Sequence, residues 1–305
     1  MAWATAIDLF AGAGGFTTGA QAAGVRVLWA ANHWQAAVDV HADNHPAVDH
    51  SCQDLHQADW SQVPAHDILL ASPACQGHSR ARGVDRPHHD ATRSTAWAVV
   101  SCAEYHQPRA IVVENVVDFA RWQLFHVWRH ALEALGYSIA LHRLDAADCG
   151  VPQNRERLFI VATRSASPLM LNTPKAEHRP ARSFIDFSSG SWSAIHKKGR
   201  ADKTLRRVDN GRREHGEQFL IPYYGNTTTG RSLDRPIGTI TTHDRYALID
   251  GDRMRMLTWQ EYRDGMGFPP DYRLPPQHRE ATKMLGNAVP PPAATSVLNA
   301  IREAA

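Results

Sequence analysis

Over the first 163 residues, short apolar runs alternate with segments of helical period. The runs predict strands at Ala4–Phe10, Val25–Ala31, Asp67–Ala71, Ala110–Glu114 and Leu158–Thr163. Between them, helical spacing appears at Thr17–Ala23, Gln35–Asn44, Thr95–His106 and Arg121–Leu135. Such alternation implies crossover units, hence an α/β fold with a mostly parallel, doubly wound sheet and helices on both faces. Ligands of such sheets sit at the carboxyl ends of the strands. After Thr163 the pattern breaks, and from Ser165 to about Asp244 the chain is polar, basic and rich in Gly, Ser and Thr. Helical periodicity returns at Trp259–Met266, Ala281–Leu285 and Ala294–Ala304. The expected organisation is a larger domain of residues 1–164 plus about 281–305, and a second, smaller domain at about 165–280.

Composition adds limits. With 43% hydrophobic and 21% charged residues among 305, the chain reads as an ordinary globular protein. No apolar run approaches the ~18 residues of a membrane span. The chain enters its first strand without a basic stretch ahead of an apolar one, which predicts no signal peptide. Four scattered cysteines (Cys52, Cys75, Cys102, Cys149) show no metal-ligand spacing and fit a reducing cytoplasm, with no metal site expected. The 18 histidines are spread along the chain and read as compositional bias.

The net charge of +2 conceals an asymmetry. Between Arg164 and Arg245 stand 15 Lys and Arg against 8 Asp and Glu, an excess of +7, while the rest of the chain carries −5. The densest stretch, Lys197–Arg213, holds eight basic and two acidic residues. A basic segment on an acidic body points to a polyanion as partner, although a solvated loop face carries charge in the same way.

Candidate chemistry lies at the predicted strand ends. Asp8-Leu9-Phe10-Ala11-Gly12-Ala13-Gly14-Gly15-Phe16 ends a strand, turns on glycines and opens a helix, as nucleotide-binding turns do. An acid ~20 residues further on would hold ribose hydroxyls. That place is taken by His33, whose neutral ring accepts one hydrogen bond, followed by Trp34, which can stack on an adenine. Cys75 follows the strand Asp67–Ala71, and Glu114 ends the strand Ala110–Glu114. Alternation along Gln153-Asn154-Arg155-Glu156-Arg157 puts Arg155 and Arg157 on one side of an extended segment. Each signal alone is ordinary, since thiols are commonly buried, strand-end acids commonly cap, and glycine clusters often serve packing.

Together and in this order, the motifs resemble the cytosine-5 DNA methyltransferase family of bacterial and phage type, over nearly the whole chain. The resemblance runs from Asp8–Phe16 through Asp54, Cys75-Gln76 with Ser79, Glu114-Asn115-Val116 and Gln153–Arg157. It continues to Arg235-Pro236-Ile237-Gly238-Thr239-Ile240-Thr241 and Gly286-Asn287-Ala288-Val289. It implies transfer of a methyl group from S-adenosylmethionine to carbon 5 of a cytosine flipped out of duplex DNA. By that resemblance Cys75 is the nucleophile that adds to carbon 6. Glu114 holds the base's N3 and amino group, Arg157 faces its carbonyl, and Arg155 supports the surroundings of the cysteine. Asp8, Phe10, Gly12, Gly14, Gly15, His33, Trp34, Asp54 and Asn287 form the implied cofactor site.

Gln76, Ser79, Arg82 and Arg93 lie on the implied DNA-closing loop, and Arg206, Arg207 and Arg231 belong to the implied target-recognition domain. A monomer in the cytoplasm at the nucleoid, with a cognate restriction endonuclease as partner, completes the expectation. Two positions depart from the family's pattern: Ala74 precedes the nucleophile where Pro is usual, and His33 replaces the ribose-binding acid. An RNA methyltransferase of the same fold and a catalytically silent DNA-binding homologue are the alternatives. The recognition region lacks the Cys-Phe-Thr signature of the family's tRNA-acting branch.

Overall fold

The computed structural model describes residues 3–74, 95–172, 175–224 and 227–304. The expected site residues Cys75, Gln76, Ser79, Arg82 and Arg93 therefore lie outside the described residues. The chain divides into two compact units, one gathering 1–149, 156–175 and 288–305, the other 150–155 and 176–287.

In the first unit seven strands form one sheet: β1 (Ala4–Leu9), β2 (Val25–Asn32), β3 (Asp49–Cys52), β4 (Ile68–Ala71), β5 (Ala110–Asn115), β6 (Ser138–Asp145) and β7 (Glu156–Thr163). Their order is β3-β2-β1-β4-β5-β7-β6. The first five run parallel. β7 runs antiparallel to both β5 and β6, because the link between β6 and β7 is too short for the crossover a parallel pair needs. The central strands carry apolar runs, as a sheet covered on both faces requires: Ile68–Ala71 and Ile111–Val113, for example, are at most 1% exposed.

Helices α1 (Gly15–Ala22), α2 (Gln35–Asn44), α3 (Trp97–His106) and α4 (Phe125–Ala134) follow β1, β2, β4 and β5, and α8 (Pro291–Ala304) returns to this unit. One face packs Trp128, Leu132, Phe119 and Val99 against β1, β4 and β5; the other packs Phe16, Ala20, Ala294, Val297 and Leu298. Each of the larger of these side chains contributes ~1.5–3 kcal/mol on burial.

The second unit is a five-stranded antiparallel sheet, β10-β9-β11-β12-β8 in order. Its strands are β8 (Ser193–Ala194), β9 (Gln218–Pro222), β10 (Arg231–Ser232), β11 (Tyr246–Asp250) and β12 (Arg253–Met256). α5 (Asp202–His215), α6 (Trp259–Gly265) and α7 (His278–Asn287) complete it. One apolar cluster under this sheet is Ile195, Val208, Phe219, Ile221, Ala247, Ile249 and Met254.

Three sequence expectations change here. The basic stretch Lys197–Arg213 is largely the 14-residue helix α5, buried only through Thr204, Val208 and Gly211. α7 belongs with the second unit rather than with residues 281–305 of the first, since Gly286 packs against the backbone of Thr241 and Thr242. The segment Gly150–Arg155 also belongs to the second unit, for reasons its side chains supply below.

A close helix contact in the first unit is between α1 and α8 at Gly19. A Cβ there would sit 2.5 Å from both the Ala294 methyl and the Pro291 carbonyl. The Thr295 hydroxyl donates to the Gly19 carbonyl at 3.0 Å across the same contact. Alanine favours a helix by about 1 kcal/mol over glycine, but forcing a methyl into packed backbone costs ~1–3 kcal/mol. Gly19→Ala is expected to lower stability in a urea titration; a stabilised variant would show that α8 yields at this contact.

Candidate functional site

Parallel pairing brings five strand ends to one edge of the first unit. The register sets Leu9 beside Ala31 and Ala71, Asn32 beside Cys52, and Ala71 beside Val113. Every segment that leaves these strands therefore begins at a similar height.

The central exit is the turn after β1. Phe10, Gly12 and Gly14 all have positive φ, at 61°, 55° and 88°. For the glycines this is free, whereas Phe10 bears ~1–2 kcal/mol of strain. Strain of this kind is found where the backbone is aimed for a ligand. A Cβ on Gly12 would meet nothing nearer than the Phe10 carbonyl at 3.8 Å, so the turn is open at that point.

Asp8 lies beneath the turn, fully buried. Its Oδ2 accepts the Thr17 hydroxyl at 2.8 Å, tying the strand to the first turn of α1. Burial drives the Asp8 carboxyl up to about 7, against the lowering effect of the Thr17 hydroxyl and backbone N–H.

Two further exits flank it. The Asn32 side chain accepts the Trp34 N–H at 3.0 Å and so shapes the start of α2, leaving His33 exposed and Trp34 half-buried. The adjacent exit from β3 begins with Gln53, whose N–H donates to the Asn32 carbonyl, and continues to exposed Asp54, which accepts the His56 N–H at 3.0 Å. His33, Trp34 and Asp54 thus leave neighbouring strands at the same edge.

On the other side, the stem after β4 is held at two points. The Ser72 N–H donates to the Leu9 carbonyl at 3.1 Å, and the Asn115 amide donates to the Pro73 carbonyl at 3.1 Å. Asn115 is 1% exposed, and its oxygen also accepts the Val116 N–H. This anchoring role was not apparent from the sequence, where Asn115 appeared only as part of a motif. Glu114, just before it, pairs with Arg157 Nε at 3.0 Å, with side-chain exposures of 8% and 14%. The two stand on adjacent antiparallel strands, where Glu114 lies opposite Phe159, so Arg157 reaches it diagonally.

Arg155 goes elsewhere. Only 2% exposed, it donates to the Ile240 carbonyl at 2.9 Å and the Gly286 carbonyl at 2.8 Å, all within the second unit. Gln153, fully buried, accepts the Ile240 N–H at 2.8 Å and donates to the Gly265 carbonyl at 3.3 Å. Alternation alone had grouped Arg155 with Arg157; the structure assigns them to different units. Asn287 ends α7 in the second unit and is exposed.

The three arginines of the second unit also separate. Arg206 is exposed on α5. Arg207 is half-buried, donates to the Thr227 carbonyl at 2.8 Å and lies 5.7 Å over the Tyr223 ring. With Asn210, which donates to the Thr228 carbonyl at 2.8 Å, it clasps the loop leading to Arg231. Arg231 is exposed in β10. Among the described residues no helix is long and apolar enough to cross a membrane, and no group of three or more His, Cys, Asp or Glu could hold a metal ion.

The family model for C-5 cytosine-specific DNA methylases matches residues 4–303. The Type II methyltransferase M.HgiDI of Herpetosiphon aurantiacus is 29% identical over 301 residues, 93% of this chain and 89% of that protein. The Type II methylase M.HgiEI of the same organism is 38% identical over 161 residues, but the match spans 51% of this chain and only 36% of that protein's length. Among solved structures, the methyltransferase EhMeth of Entamoeba histolytica shares the fold at a TM-score of 0.73 and 14% identity, covering 98% of both chains.

Arg155 offers a direct check on the second unit. A hydrogen bond from a charged group contributes ~1.5–3 kcal/mol, and Arg155→Met removes two such bonds from buried carbonyls. The variant is expected to lose at least that much stability in denaturant. Unchanged unfolding would show that solvent or a neighbour satisfies both carbonyls.

Proposed function

Since the chain belongs to the C-5 cytosine-specific DNA methylase family, we propose that it transfers a methyl group from S-adenosylmethionine to carbon 5 of a cytosine flipped out of a specific duplex DNA sequence. The observation that carries this reading is the gathering of five strand ends at one edge, with the buried Glu114–Arg157 pair beside the stem that leads to Cys75.

The residues present fit the cofactor. A glycine turn with left-handed backbone faces a helix N-terminus, a buried carboxylate lies under it, and Trp34 and Asp54 stand at the adjoining exits. When bound, S-adenosylmethionine supplies an electrophilic methyl group. His33 stands in the ribose-facing position with fewer acceptors than a carboxylate.

In this reading Cys75 must lose its proton from a reference pKa of ~8.5. Its thiolate adds to carbon 6 of the base, making carbon 5 nucleophilic. Glu114 holds the N3 and amino edge, and Arg157 fixes the Glu114 carboxylate while facing the base carbonyl. Once carbon 5 carries the methyl group, a base removes its proton and the thiolate leaves. Arg155 acts as a positioning residue through Ile240 and Gly286. Asn287, beside Gly286, is read as a cofactor contact, and Gln76, Ser79, Arg82 and Arg93 as contacts to DNA. We also read the enzyme as a monomer at the nucleoid, paired with a restriction endonuclease; the Type II names of the relatives support that pairing.

Cys75→Ala is expected to abolish methyl transfer and keep DNA binding. Duplex DNA bearing 5-fluorocytosine at the target should trap a covalent complex with the wild type alone, because fluorine cannot leave as a proton does. An adduct on the Ala variant would remove Cys75 from this role.

For recognition, phosphate contacts give affinity and base-edge contacts give sequence. Arg206→Ala is expected to weaken binding to all duplexes and reduce the salt slope by about one. Arg231→Ala should relax preference at one base pair, at a cost of ~1–3 kcal/mol on the cognate site. Because Arg207 clasps the loop ahead of Arg231, Arg207→Ala should resemble the Arg231 variant rather than the Arg206 variant. Methylation profiling of a random-site library reads all three, and a merely weaker Arg207 variant with unchanged preference would make Arg207 a phosphate contact like Arg206.

A further inference from the structure

Beneath the glycine turn four polar side chains stand in line. Asp8 Oδ2 is 2.8 Å from the Thr17 hydroxyl, which is 3.0 Å from His41 Nε2; His41 Nδ1 is in turn 2.8 Å from His50 Nε2. Asp8, Thr17 and His41 are at most 1% exposed, whereas His50, on β3, is half-buried and meets solvent. His41 is neutral over the working range, since burial first and then His45 and His50 push it down to about 2.

A neutral imidazole has one donor and one acceptor, so the line has two consistent orderings. With Asp8 ionised, Thr17 donates to Asp8, His41 Nε2–H donates to Thr17, and His50 Nε2–H donates to His41, leaving His50 Nδ1 bare. With Asp8 protonated on Oδ2 every bond reverses, ending with His50 Nδ1–H directed at the Val48 carbonyl. The orderings differ by one proton. It enters at His50 Nδ1 from solvent. His50 then passes its Nε2 proton to His41 Nδ1, His41 passes its Nε2 proton to Thr17, and Thr17 passes its hydroxyl proton to Asp8. Asp8 can thus change charge without the fold opening.

We propose that Thr17, His41 and His50 are a proton relay that sets the charge of Asp8 against that of the cofactor on the glycine turn, so that Asp8 gives up a proton when the cation S-adenosylmethionine is taken up. The proposal rests on the reading of that turn as the cofactor site. Asp8 Oδ1 has no hydrogen-bond partner among the described residues, so half of the carboxylate is uncommitted within the line. A cation brought near a buried carboxylate favours its charged form, and uptake is then linked to proton release. Poised at about 7, Asp8 is half-charged near neutrality.

The titratable groups around the line are His41 and His45 on α2 and Asp49 and His50 on β3. β1, β4 and α1 bring none besides Asp8, and Arg26 sits at the opposite end of β2. S-adenosylhomocysteine, with an uncharged sulfur, should draw out much less of the proton.

Calorimetry in two buffers of different ionisation enthalpy counts the protons released per ligand bound. Near pH 7 the whole protein is expected to release roughly half a proton with S-adenosylmethionine and markedly less with S-adenosylhomocysteine. Asp8→Asn, measured at ligand concentrations that saturate whatever affinity remains, should release none. His41→Phe removes the Nε2–H that turns the Thr17 hydroxyl toward the carboxylate, so the pH of half-maximal release should rise by about one unit. His50→Phe, at the half-exposed end, gives the same readout if the His41 variant fails to fold. His45→Gln should keep the wild-type profile, since His45 bonds Thr18 and Gln21 instead. Release that persists in Asp8→Asn, equal release with both ligands, or a wild-type profile in both relay variants would overturn the relay while leaving the cofactor site standing. Absence of S-adenosylmethionine binding in the wild type would overturn the site and the relay together.

Discussion

The constraint on which the first unit depends is parallel pairing around β1. A strand flanked on both sides by parallel neighbours must send every connection out over the same two edges, and here the register holds Leu9, Ala31 and Ala71 nearly level. No motif places itself. The glycine turn, the His33-Trp34 corner, Asp54, the stem at Ser72-Pro73 and Glu114 come together because five short parallel strands end at one edge. The site is therefore paid for by burial of Ile7, Leu69, Leu70, Ile111 and Val112, none of which bears chemistry.

That dependence explains what was legible in the sequence. β1, β2, β4 and β5 are buried on both faces, so each reads as an apolar run. β3, Asp49-His50-Ser51-Cys52, is an edge strand with no fully buried residue and gave no signal. β6 does not alternate cleanly, since Leu141 is exposed and His142 is buried, so Ser138–Arg143 carries no strand period. α5 was read as charge because its buried face is Thr204, Val208 and Gly211, small residues that leave no apolar stripe. Gly211 is required there: a Cβ would lie 2.2 Å from the Phe219 ring.

The histidines show a different limit. Spread through the sequence, they resemble bias, and His41 and His45 alone would pass for a polar helix face. Their partners are Thr17 and Thr18 on one helix and His50 on a strand, contacts between elements distant in sequence. The same holds for Gln153 and Arg155, whose roles are to bind Ile240, Gly265 and Gly286, between 85 and 131 positions away. Motif order announced these residues; only the fold says what they hold.

In the second unit, fixed and free charges are kept apart. Arg255 and Glu261 form a two-bond pair at 2.7 and 2.6 Å with exposures of 1% and 3%. Burying such a pair is costly unless its remaining hydrogen bonds are met. Here the Glu261 carboxylate also accepts the Thr258 and Asp186 N–H groups, and Arg255 donates to the Asp186 carbonyl, so one corner joins α6, β12 and the segment before β8. Arg207 is half-committed, to a loop carbonyl and an aromatic face, whereas Arg206 and Arg231 are left in solvent. An arginine already satisfied by the protein has little to offer an outside partner, so the committed ones fix the frame and the exposed ones keep their guanidinium groups in solvent. Burial and prior hydrogen bonds, rather than position in the basic stretch, separate these roles.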